Sequence, residues 1–115
     1  MNEEITTLLC HILEATERIE EFTEGFSEND FLSSVKTQDA VLRRLEIIGE
    51  ASKSLQASFL GEHQEISWRE MIRMRDKLIH GYFGVDLQIT WNVVTDEIPT
   101  LKKKIKMILS SQNTK

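Results

Sequence analysis

The 115 residues suffice for one domain with a single core, and 14 basic against 19 acidic side chains give a net charge of −5, which argues against holding nucleic acid by bulk positive charge. A single cysteine excludes an internal disulfide framework and fits a reducing, cytoplasmic setting. No apolar run approaches the roughly 18 residues of a membrane span, the acidic N-terminus lacks a signal peptide's basic start, and five Gly with one Pro leave little turn chemistry for an all-β fold.

The charge is unevenly spread. Residues 1–30 carry one base, Arg18, against nine acids; residues 31–100 carry eight bases and ten acids; residues 101–115 carry five lysines and no acid. An acidic first helix and a basic last helix, paired across a bundle or placed at favourable dipole ends, account for this gradient.

Ile5, Leu8, Ile12, Ala15, Ile19 and Phe22 are spaced by threes and fours, which predicts a first helix from about Asn2 to Thr23. Asn2 is its N-cap, Glu3 and Glu4 complement the dipole, and Gly25 stops it. Ser27 caps a short helix from Glu28 to about Ser34, with Asp30 at the third position and Phe31 and Leu32 turned inward. A longer helix is expected from near Lys36 to Leu60, with Val41, Leu45, Ile48, Leu55 and Phe59 on one side and Gly61 closing it. Gly49 lies inside it at about 1 kcal/mol relative to Ala; a close helix–helix approach is the simplest reason for it.

Ser67-Trp68-Arg69-Glu70 matches a capping box. Its helix carries Trp68, Met71, Met74 and Leu78 inward and ends near His80, before Gly81. Asp86 then caps a last helix from Leu87 to about Leu109, where Leu87, Trp91, Val94, Ile98, Leu101, Ile105 and Ile108 keep one register past a kink at Pro99. Residues 110–115 read as a frayed tail. The expected architecture is a single-domain, all-α, up-and-down bundle of four main helices plus a short one. Arg43, Glu46, Gly49, Glu50 and Ser52 on the flank of the third segment suggest a second helical surface, most simply for a two-fold homodimer.

One constellation carries possible chemistry: Arg75-Asp76-Lys77-Leu78-Ile79-His80-Gly81-Tyr82. Arg75 supplies a permanent charge with a donor fork suited to phosphate. His80 titrates near neutral pH. Asp76 and His80, four apart, share a helix face, so Asp76 is placed to fix the imidazole's tautomer. Arg75 and His80 are about 140° apart around an ideal helix, so both reach one cleft only through a long Arg side chain and a histidine at the helix end. A plain alternative stands beside this, in which His80 stabilises the helix C-terminus and Arg75 and Asp76 pair with surface charges. Neither His11 nor His63 has a matching partner. Cys10 and His11 are adjacent and diverge on a helix, and with no HxxxH or CxxC no metal site and no cofactor are expected.

The run Arg75-x4-His80-x-Tyr82 resembles the Arg-x4-His-x-Tyr motif of the HepT-like toxins of the HEPN superfamily. Phe31, Gln38-Asp39-Ala40-Val41 and Arg43-Arg44-Leu45-Glu46-Ile47-Ile48-Gly49-Glu50-Ala51 resemble the family's second block. Trp68-Arg69-Glu70-Met71 before the motif, and Asp86, Trp91, Ile98, Pro99 and Leu101 after it, are also similar, so the likeness spans about residues 5–109. It implies a HEPN-like dimeric bundle with the motifs of both subunits around one cleft, acting as a metal-independent endoribonuclease and the toxin of a toxin–antitoxin module. By position, Arg75 would bind the scissile phosphate of RNA, His80 would be general acid/base, and Asp76 would take the supporting polar position. The resemblance further implies a minimal nucleotidyltransferase of MNT type as partner, transferring AMP to Tyr82 and so blocking the cleft with bulk and negative charge. The alternative is a non-catalytic, nucleotide-binding or scaffold partner of that nucleotidyltransferase.

Overall fold

The computed structural model describes the backbone of residues 1–80 and 85–112, and the side chains of these except at 78–80 and 112. Helix α1 spans Glu3–Thr23; the Asn2 side chain accepts from the Ile5 amide at 2.8 Å, with Glu3 and Glu4 in the first turn. The chain leaves α1 through Glu24 and Gly25, whose φ of 75° is a left-handed conformation that a Cβ would penalise. The predicted stripe is buried at Ile5, Ile12, Ala15 and Ile19, with Leu8 and Phe22 at its margin. Leu9 and Thr16, both fully buried, complete it. Thr16 is tolerated there because its hydroxyl donates to the Leu13 carbonyl at 2.6 Å.

Helix α2, Glu28–Leu32, starts with the capping box expected at Ser27 and Asp30. It buries Phe31, whose ring stacks on Trp91 with centroids 5.4 Å apart. Leu32, expected to point inward, is exposed. Buried Gln38 donates to the Phe31 and Leu32 carbonyls, at 2.9 and 3.1 Å, and so satisfies the otherwise open end of α2.

The long helix expected to reach Leu60 is two helices. Helix α3 covers Val35–Ser54 and α4 covers Ala57–Glu62, with extended backbone at Leu55 and Gln56 between them. Leu55, within the break, and Phe59, beyond it, are both buried. The hydrophobic period therefore continues through it, and neither Gly nor Pro marks it. The step lets Phe59 pack against Trp68 and His63, at ring-centroid distances of 6.1 and 4.5 Å.

Helix α5 spans Trp68–His80. Its first turn rests on the Ser67 carbonyl, which accepts from the Met71 amide at 3.2 Å. The reciprocal Ser67–Glu70 capping box is absent from the side-chain hydrogen bonds of the described residues. Trp68 is instead fixed by its indole N–H, which donates to the His63 carbonyl at 2.8 Å. Asp86 caps α6, Leu87–Asn92, by accepting from the Gln88 and Ile89 amides.

Just before Pro99, where a kink was expected, the helix changes its hydrogen-bond pattern. Residues Val93–Glu97 form a π-helical turn in which the Ile98 amide donates to the Val93 carbonyl, five residues back. Helix α7, Ile98–Gln112, follows directly. The wider turn sits where Pro99 has no N–H to offer the ladder, so the register continues without a clash. Residues 110–112, read as frayed, are the last helical residues; 113–115 lie outside the described residues.

Helix α3 is the central rod, packed by α1 on one side and α5 on another, while α7 packs on α1 and α2 bridges α3 and α6. The charge gradient is used across this bundle: Lys102 of α7 meets Glu20 of α1 at 2.7 Å. The hydrogen bond to Glu20 holds the Lys102 ammonium above its ordinary pKa. Among the described residues, no helix is long and apolar enough to cross a membrane.

At Gly49, α3 and α5 are in close contact. A Cβ there would overlap the Cβ of Arg75 and lie 2.9 Å from the Met71 carbonyl oxygen. Of the flank read as a self-association surface, Gly49 is occupied from within the chain and Ser52 is fully buried, its hydroxyl donating to the Ile48 carbonyl, whereas Arg43 is exposed and Glu46 and Glu50 are half-buried. Gly49→Ala should therefore lower stability by about 1–3 kcal/mol through overpacking, although helix propensity alone favours Ala by about 1 kcal/mol. Thermal unfolding of the variant decides between the two terms, because they predict opposite shifts of Tm.

Candidate functional site

The residues of α5 divide by face. Trp68, Met71 and Met74 pack against the core, and Arg69, Arg73 and Lys77 are exposed. Arg75 falls between them. Its Cβ and Cγ lie against Gly49, so its stem is pinned to α3 and its guanidinium emerges beside the next residue of α3, Glu50.

Two carboxylates hold that guanidinium. Nη1 donates to Asp76 Oδ1 at 3.0 Å, and Nη2 lies 3.7 Å from Glu50 Oε1. The Arg75 side chain is 20% exposed, whereas those of Glu50 and Asp76 are 45% and 46% exposed. The Nε atom is buried without a hydrogen-bond partner. The charge is thus presented at the surface by its Nη groups, while the stem and Nε are sealed against α3. Such a fork can take an anion by exchanging a loosely held carboxylate for it.

The sequence places Asp76 as the partner of His80. In the structure Asp76 is engaged by Arg75, its immediate neighbour. Residues adjacent on a helix do not ordinarily face each other, and the pair forms because the guanidinium turns back at the helix surface. His80 is the last residue of α5, and its side chain lies outside the described residues, as does Tyr82. Glu50 was visible only as part of a sequence block and as a flank residue; its contact with Arg75 depends on how α3 and α5 cross, which no spacing within either helix encodes.

A second feature lies on another side of α5. A groove of about 330 Å³ runs between α5, α3 and the π turn, with Leu45, Ile48, Met71, Met74, Val93 and Leu101 among its walls. Glu70, Asp96, Glu97 and Lys104 also line it. Burial, then Glu70, then Asp96 push the Glu97 carboxyl above the ordinary carboxylate range. Among the described residues, no group of three or more His, Cys, Asp or Glu is arranged to hold a metal ion.

The raised Glu97 has a definite sign. Because the folded state binds this proton more tightly than the unfolded chain, its contribution favours folding below the ordinary carboxylate pKa and is lost as pH rises through the folded value. Glu97→Gln should melt above the wild type at neutral pH, with the gain fading in acid. Melting curves across the acid-to-neutral range test this, and a gain that grows in acid would refute it.

Comparison with known proteins gives this arrangement a family. Residues 12–108 match the family model described as Ribonuclease HepT-like. The chain is 57% identical over 97 residues to the "Probable ribonuclease HepT" of Thermococcus cleftensis, covering 84% of this chain and 88% of that one. It is 50% identical over 109 residues to the "Gamma-glutamylcyclotransferase and putative RNase" of Methanocaldococcus jannaschii, covering 95% of this chain but 49% of that longer protein. A "Putative RNase" of Caldanaerobacter subterraneus is 44% identical over 104 residues, covering 90% of this chain and 93% of its own. No solved structure matches the chain.

Proposed function

We propose that this chain, which belongs to the HepT-like ribonuclease family, is a metal-independent endoribonuclease and the toxin of a two-component module. The observation that carries the reading is the Arg75 fork, which is seated on α3 and presented at the surface of the helix that ends at His80. Family membership and the names of the relatives support the reaction class.

Arg75 binds the scissile phosphate and offsets the charge that accumulates on its oxygens during transfer. His80 removes the proton of the neighbouring ribose 2′-hydroxyl. The 2′-oxygen bonds to phosphorus, the bond from phosphorus to the 5′-oxygen breaks, and the departing oxygen takes a proton from an acid in the same cleft. The products are a 2′,3′-cyclic phosphate and a 5′-hydroxyl. The Arg75-to-His80 rotation of about 140° favours a composite cleft, in which two copies of the chain each contribute part of the site.

Regulation acts on the same segment. A nucleotidyltransferase of MNT type joins the Tyr82 oxygen to the α-phosphorus of ATP and releases pyrophosphate. The added nucleotide brings negative charge two residues from His80, where it repels RNA.

The purified protein should cleave RNA in the presence of a chelator and leave 2′,3′-cyclic phosphate ends. His80→Ala should lower the rate by about 10²–10⁴, with Arg75→Ala also strongly impaired. Nucleotide binding without cleavage by the wild type would instead identify a non-catalytic partner of the nucleotidyltransferase. Incubation with the cognate nucleotidyltransferase and ATP should raise the mass by one or more AMP units, and Tyr82→Phe should abolish the increase. An unchanged wild-type mass would remove the regulatory part of the proposal.

A further inference from the structure

The seat of Arg75 involves a residue from a second helix. Gly49 admits the Arg75 stem against α3, and Glu50, the following residue, faces the guanidinium from the same helix. Glu50 Oε1 stands 3.7 Å from Nη2, beyond hydrogen-bond reach but within ion-pair range, whereas Asp76 forms a hydrogen bond to Nη1 at 3.0 Å. The two acids therefore act differently. Asp76 grips one nitrogen through α5 itself, while Glu50 attracts the other from across the α3–α5 interface.

The buried Nε has no partner to define its orientation. The direction in which the fork points is set by packing against Gly49 and by these two carboxylates. Glu50 is also exposed enough to swing away. We propose that Glu50 is a positioning residue for the phosphate-binding arginine: it holds the Nη2 side of Arg75 in the empty site and yields that nitrogen to an RNA phosphate.

This inference rests on the ribonuclease reading. It requires that Glu50 act through Arg75, and it predicts opposite effects on binding and turnover. Glu50→Gln removes the competing charge and loosens the fork together. Turnover should fall about tenfold, because a misaligned contact is lost mainly in the transition state, while KM stays level or falls. Glu50→Asp keeps the charge one methylene shorter and should recover most of kcat. A simple structural role would lower Tm and would not separate kcat from KM.

The decisive experiment is a double-mutant cycle on the full chain. Wild type, Glu50→Gln, Arg75→Lys and the double variant are compared for kcat on an RNA oligonucleotide and for binding of its 2′-O-methyl analogue, which lacks the attacking hydroxyl. Glu50→Gln should bind the analogue about two- to threefold more tightly when Arg75 is present, by freeing Nη2 from a competing carboxylate, and should have a clearly smaller effect in the Arg75→Lys background, where no fork is held. Equal effects in both backgrounds, or no effect in either, would overturn the role of Glu50. Binding with the expected coupling but no cleavage by any variant would support the Arg75–Glu50 relation while rejecting the nuclease reading. Neither binding nor cleavage by the wild type would reject both.

Discussion

The approach of α3 and α5 at Gly49 is the constraint on which the site depends. Packed helix axes lie about 8–10 Å apart depending on the side chains at the contact, and the backbones meet only where the residue between them is small. Here a hydrogen replaces the side chain that would strike Arg75 Cβ and the Met71 carbonyl. Gly49 is unfavourable for the helix by about 1 kcal/mol, and what is gained is position. The stem of an arginine is fixed against a rigid rod that is packed in turn by α1 and α5. A long, flexible cation, which would otherwise sample many rotamers, thus leaves the bundle at a defined point.

The remaining elements support that rod. Gln38 closes the end of α2, and the Phe31–Trp91 stack connects α2 with α6. Phe59 and Trp68, on either side of the turn that leads into α5, are packed together, and the Trp68 indole N–H anchors the start of α5 to the His63 carbonyl. These contacts fix the N-terminal end of α5, and Gly49 fixes its middle. The helix runs from that fixed part towards His80, so Arg75 lies on its anchored portion.

The sequence was most informative where the determinant is local. Capping at Asn2, Ser27 and Asp86, the stop at Gly25 and the stripe of α1 each depend on residues within a few positions of one another, and each is found in the structure. The reading failed where two conformations share one pattern. The break at Leu55–Gln56 preserves the burial of Leu55 and Phe59, so hydrophobic period cannot distinguish it from a continuous helix. The π turn at Val93–Glu97 inserts its extra width without disturbing Val94, Ile98 and Leu101, all of which remain buried. Pro99 signalled a disturbance but not its form. At the site, Arg75 was recognisable from its motif, and Gly49 from being a glycine inside a helix. The relation between them was not recognisable, because it is a property of the crossing rather than of either helix.

That distinction bears on Asp76, which is bonded to Arg75, while the side chain of its expected partner His80 lies outside the described residues. Helical spacing alone makes Asp76 and His80 neighbours, because residues four apart share a face. Spacing does not include a guanidinium held in place by another helix. Once Gly49 fixes the Arg75 stem, the charged end has Asp76 within hydrogen-bond reach at 3.0 Å and Glu50 at 3.7 Å. Glu50 of α3 and Asp76 of α5 thus both face the arginine. On the reading proposed above, a phosphate diester would bring one negative charge to a fork already flanked by two, and would gain most by replacing the more distant and more weakly held of them. Selective exchange of that kind keeps the arginine paired before substrate arrives, which limits the exposure of an unpaired positive charge on a protein whose overall charge is −5. It would also confine anion binding to a ligand that can displace Glu50 while leaving Asp76 in place to hold the other side of the fork.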